Sequence, residues 1–108
     1  MSVFVIAIVK VKDDSWIPEY ATTVHEIVAK HGGKYLSRSG NITTVEGEPL
    51  NADVIALIQF PSLEAAQAFY DDPAYAPHLK ARIAGSVSGL YAIDDTDATG
   101  GISYLPKG

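Results

Sequence analysis

Two stretches of this chain are too apolar to leave a face in water. VFVIAIVKV at Val3–Val11 and DVIALIQF at residues 53–60 are built almost wholly from β-branched, aliphatic and aromatic residues. Each is too short to cross a bilayer as a helix, which takes about 20 apolar residues. Each is also too uniform for a strand with one solvated side, where polar and apolar residues alternate. Both read as strands covered on both faces. A sheet that holds them needs helices on one side and something equally apolar on the other.

The intervening segments supply the helices. Trp16, Ile17, Tyr20, Val24, Ile27 and Val28 share one face at 100° per residue, which predicts a helix over residues 16–31. Asp13, Asp14 and Ser15 offer turn and N-cap chemistry before it, and Pro18 fits its first turn. Gly32 or Gly33 suits a left-handed C-cap. Residues 34–39 and 42–46 read as one strand interrupted at Gly40-Asn41, with a bulge at Gly40, or as a hairpin folded there. After Pro61, Ser62 N-caps a short helix over residues 63–70, which Pro73 stops. Residues 74–84 form a further helix with an irregular start, since Pro77 has no N–H to donate. Residues 85–89 open the last strand, residues 90–94. The β-α-β-β-α-β order predicts an α+β, ferredoxin-like domain over residues 1–94, an antiparallel four-stranded sheet with two main helices on one face. Residues 95–108 remain as a tail.

Two helices on one side leave the far face bare, and a bare face of this kind is a large apolar patch. Its cheapest cover is a second copy of the chain, sheet against sheet, in a dimeric α/β barrel. The competing expectation is that the tail covers it. The tail is expected either to be flexible or to pack Ile102 to Leu105 on the partner subunit.

Composition excludes several function classes. A formal charge of −5 without a Lys/Arg stripe disfavours nucleic acid and anionic membranes, because phosphate neutralisation supplies most of such affinity. The absence of cysteine removes disulfides, thiolate metal sites, iron–sulfur clusters and a cysteine nucleophile. The apolar start lacks a basic leader, so it is expected to be a strand and the protein cytoplasmic. No GxGxxG, P-loop or GxSxG occurs. His25-Glu26 opens an HExxH word, but Ala29 stands where its second histidine belongs, so the zinc-protease reading fails. No cofactor or metal is expected.

The words Gly32-Gly33-Lys34-Tyr35-Leu36 with Arg38, then Val45-Glu46-Gly47, are followed by Phe60-Pro61-Ser62-Leu63-Glu64-Ala65-Ala66, Phe69-Tyr70, Pro73-Ala74-Tyr75 and Arg82. In that order and spacing, over residues 3 to 94, they resemble the small bacterial family called domain of unknown function 1330, within the dimeric α/β-barrel superfamily. The resemblance implies a homodimeric ferredoxin-like fold. It implies no reaction, since relatives in the wider superfamily include cofactor-free monooxygenases, haem-degrading enzymes and lactone isomerases. Glu48-Pro49 stands where many members carry an aromatic residue, and the long tail is a second departure.

Arg38 is the first candidate for chemistry. Strand alternation predicts that Leu36 and Arg38 point the same way. A guanidinium in an apolar cavity needs a carboxylate or an anionic ligand. It is expected either to clamp a substrate carboxylate or enolate, or to form a structural ion pair with Glu46. Tyr75, His78 and Arg82 fall on one helix stripe, either a polar pocket wall with His78 as general base or a surface stripe. His25 lies near a pocket mouth, while His31 is expected to meet the last carbonyls of its helix. Tyr20 and Tyr70 complete the candidates, with Tyr70 able to donate to a bound anion. Two functions follow: a small homodimer with a pocket for a carbonyl or carboxylate compound, working as an acid–base enzyme of isomerase or monooxygenase type, or a non-catalytic small-ligand-binding or accessory protein.

Overall fold

The computed structural model describes residues 2–99 and 101. Strand β1 (Val3–Val11) leads into helix α1 (Ile17–Lys30), followed by β2 (Lys34–Ser39), β3 (Val54–Phe60), α2 (Leu63–Tyr70), α3 (Ala76–Gly85) and β4 (Ser86–Asp94). The strands form one antiparallel sheet in the order β2-β3-β1-β4. This is the ferredoxin-like arrangement, with a second crossover made of two helices.

The sheet's two faces differ in burial. Val3, Val5, Ala7 and Val9 of β1, with Ala56, Ile58 and Phe60 of β3, are buried beneath the helices. They pack against Val24, Ile27 and Val28 of α1, Ala66 and Phe69 of α2, and Tyr75. The opposite face carries Phe4, Ile6 and Ile8, Ile55 and Leu57, and Tyr91 and Ile93, which are half-buried or exposed. Ile6 lies at its centre, paired with Leu57 on one side and Tyr91 on the other.

The double glycine fixes how α1 enters β2. Gly32 adopts φ 78°, its N–H donating to the Ala29 carbonyl at 3.0 Å, while the Gly33 N–H reaches the Val28 carbonyl at 2.9 Å. This pair of bonds is the Schellman cap, which requires a residue free to go left-handed. Gly33 is needed for another reason. A Cβ there would stand 2.6 Å from the Phe60 ring and 2.7 Å from Val28. Gly33→Ala is therefore expected to cost about 1–3 kcal/mol through overpacking, read as a lower urea midpoint at unchanged m-value. A loss below about 0.5 kcal/mol, the level of an ordinary surface change, would show that helix and sheet can part here.

Several local expectations are corrected. The residues before α1 form a turn, in which Asp13 Oδ1 accepts the Ser15 N–H at 2.9 Å, but no side chain caps the helix. Its start is pinned instead by Trp16, whose indole N–H donates to the Gly85 carbonyl at 3.2 Å. Residues 42–46 are not a strand; they belong to the long connection between β2 and β3, where Val45 is almost fully exposed. The irregularity falls at Leu36 rather than Gly40, because the β2–β3 register shifts between Tyr35 and Ser37. β4 starts at Ser86, four residues early, since Ser86 to Gly89 already pair with β1. Ser62 does cap α2, its Oγ accepting the Ala65 N–H at 3.0 Å. The helix over residues 74–84 begins at Ala76, after a turn closed by the Tyr75 N–H to the Asp72 carbonyl, which puts Pro77 in the first turn. The expected packing of Ile102 to Leu105 lies outside the described residues.

Candidate functional site

A cavity of about 260 Å³ lies between the sheet and the helices. Its origin is a pair of small residues in bulky strands. Arg38, Ala56, Ala7 and Leu90 sit side by side across the sheet on the helix face. The two alanines leave space where valine or isoleucine would fill it. Trp16, Tyr20, Tyr35, Phe69 and Tyr75 wall this space.

Arg82 of α3 lines the cavity and is only 4% exposed. Its Nη1 donates to the Ser88 hydroxyl, and Ser86 Oγ donates to the Arg82 carbonyl at 2.5 Å. Its Nε is buried and has no hydrogen-bond partner among the described residues. No carboxylate belongs to the described residues lining the cavity. The Tyr20 and Tyr75 hydroxyls, 2.7 Å apart, lie near this guanidinium. Burial pushes the Tyr20 hydroxyl well above the ordinary phenol range, and Tyr75 adds to this against the opposing pull of Arg82. Burial also raises Tyr35, with Arg38 acting against it. Tyr20 and Tyr35 therefore stay neutral, whereas arginine stays charged.

Arg38 lies at the other end. Leu36 is the extra residue of the bulge, so Arg38 shares a face with Tyr35 and not with Leu36, a correction to simple alternation. Its guanidinium carbon stands 4.8 Å from the Tyr35 ring centre, within cation–π range, with the side chain exposed at the edge of the cavity. The expected Arg38–Glu46 ion pair is not formed. Among the described residues the ion pairs are Lys10–Asp53, Lys30–Asp72 and His31–Asp72, and Glu46 sits exposed in the β2–β3 connection.

The histidines stand apart from the cavity wall. His25 is exposed on α1. His78 is half-buried and meets Tyr20 edge-on, with ring centres 6.3 Å apart. His31 does not turn to the helix carbonyls. Its Nε2 donates to Asp72 at 2.7 Å, and Asp72 also accepts from Lys30 Nζ at 3.1 Å and the Ala74 N–H at 2.9 Å. These bonds, that from His31 foremost, hold the Asp72 carboxyl below the usual carboxylate range. The cluster ties the end of α1 to the turn between α2 and α3. Tyr70 is partly exposed and lines a second recess of about 360 Å³ on the β4 side, which shares Arg82, Phe69 and Leu90 with the first. Among the described residues no group of His, Asp and Glu is placed to hold a metal ion, and no helix is long and apolar enough to cross a membrane.

The family model for a domain of unknown function, DUF1330, matches residues 2–96. The chain belongs to this family. Similar solved structures carry the same fold at low identity. A protein of unknown function from Rhodopseudomonas palustris is 17% identical, with a TM-score of 0.75 over 89% of this chain and 83% of its own. SnoaB, a cofactor-independent oxygenase from Streptomyces nogalater, is 13% identical, with a TM-score of 0.62 over 89% and 94%. A dimeric protein of unknown function and ferredoxin-like fold from Bacteroides fragilis is 14% identical, with a TM-score of 0.52 over 86% and 95%. No curated protein gives a significant match.

In this DUF1330 chain the cavity gathers Tyr20, Tyr75, Arg82 and Arg38, and leaves out Glu46, His25 and His78. Sequence reasoning missed Trp16 and Tyr35 as walls, and Ser88 as the partner of Arg82. It also missed the floor, although a signal was present: Ala7 and Ala56 are the small residues near the middle of the two most apolar strands.

Proposed function

We propose that this DUF1330 protein is a cytoplasmic homodimer in which each subunit binds a small, mostly apolar organic molecule through a carboxylate, enolate or carbonyl oxygen. The observation that carries the reading is Arg82, a buried guanidinium with a free Nε donor at an apolar cavity. A buried charge without a counter-charge costs several kcal/mol. An anionic ligand against the guanidinium offsets that cost. The homodimer is supported by the apolar outer face of the sheet and by the dimeric ferredoxin-like protein that shares the fold.

Binding is better supported than proton transfer. The described cavity-lining residues include no carboxylate or imidazole, and burial holds Tyr20 and Tyr35 protonated. If a reaction takes place, the cavity's part is to stabilise negative charge on a substrate acidic enough to ionise itself. The fold shared with a cofactor-independent oxygenase is compatible with that second reading.

The only tryptophan, Trp16, lines the cavity and reports its occupancy. Benzoate is expected to change its fluorescence saturably, and the isosteric but uncharged benzamide to bind at least tenfold more weakly. No saturable change with either compound up to the solubility limit would remove the binding reading.

A further inference from the structure

Resting on the reading of the cavity as a ligand site, we infer that its ligand is a two-ended organic anion: a flat apolar body with an anionic group at each end, one held by Arg82 and the other by Arg38. Arg38, Ala56, Ala7 and Leu90 lie in one row across the four strands of the sheet. Arg38 stands on the β2 edge, while the Arg82 guanidinium bonds Ser88 on the β4 edge. Three strand spacings separate these edges, roughly 14 Å at the backbone. The two cations thus stand at opposite ends of one elongated space with an alanine floor. Aromatic rings wall its middle, which suits a planar unsaturated body.

Charge sets the number of anionic groups. The protein has a formal charge of −5, yet the described residues lining this cavity carry two arginines and no Asp, Glu, Lys or His. Neither arginine is in an ion pair among the described residues. A monoanion at Arg82 would leave Arg38 unanswered. Arg38 is exposed and rests on the Tyr35 face, so it can close over a second anionic group with little desolvation. Its planar fork is suited to a carboxylate.

The test compares terephthalate, a rigid 1,4-dicarboxylate, with benzoate, by calorimetry on the full chain and on Arg38→Ala. Terephthalate is expected to bind wild type about tenfold more tightly than benzoate. In Arg38→Ala that advantage should vanish, the ratio of the two affinities falling to about one. Since Arg38 is exposed, the variant should fold, as circular dichroism can verify. Equal affinity of the two acids for wild type overturns the two-ended ligand and leaves the single-anion pocket standing. An advantage that survives Arg38→Ala overturns the role of Arg38. Failure of both acids to bind wild type removes the pocket reading along with this inference.

Discussion

Arg82→Met is expected to lower benzoate affinity by a factor of about 30 or more without weakening the fold. Removing one member of a desolvated charge contact costs a complex about 2–5 kcal/mol, and each 1.4 kcal/mol is a factor of ten. Stability should move the other way. In the free protein the guanidinium is buried with an unused Nε donor and no carboxylate along its cavity. Methionine keeps much of the apolar stem and deletes the charge, so unfolding free energy should hold or rise by up to about 2 kcal/mol. The Ser88 hydroxyl loses its Arg82 donor but lies 3.2 Å from Ser86 Oγ. Chemical denaturation and a fluorescence titration of the same variant decide the matter. A strongly destabilised Arg82→Met would show that the arginine holds the fold together and does not await a ligand.

Ile6→Asp is expected to split the proposed dimer. Ile6 sits at the centre of the outer face, between Leu57 and Tyr91. In a sheet-against-sheet dimer a carboxylate at this point is desolvated without a partner, at a cost of several kcal/mol for each subunit. A rise of at least a thousandfold in the dimer dissociation constant follows, about 4 kcal/mol. Sedimentation equilibrium at micromolar protein should then find dimers for the wild type and single chains for the variant. Because the face is only half-buried in the single chain, the variant should retain its circular dichroism. Wild-type protein sedimenting as single chains would refute the dimer, as would a variant that stays paired.

Much of the fold was legible because periodicity is a direct record of burial. The helical stripe from Trp16 to Val28 and the two uniform strands each have one low-energy placement, and the glycine pair marks the turn between α1 and β2. What escaped was set by contacts distant in sequence. Whether residues 42–46 pair depends on a partner strand that Val54–Phe60 does not extend to meet. Trp16 pins the start of α1 because Gly85, far along the chain, presents a carbonyl to its indole N–H. His31 turns to Asp72, which its own helix does not announce. The site was half legible for the same reason. Tyr75 and Arg82 share a stripe that spacing reveals, whereas Glu46 was tied to Arg38 by proximity in sequence and opposite charge alone.

The irregular register at Leu36 has a consequence for the wider family. Because side chains alternate along a strand, one residue more or less flips everything beyond it to the other side. A relative that keeps the same spacing from tyrosine to arginine but pairs without the bulge would carry its arginine on the outer face of the sheet instead of the interior. Identity at the arginine column is thus a poor guide to who shares the second positive charge. The length of the strand read together with the presence of the bulge decides which face the arginine takes.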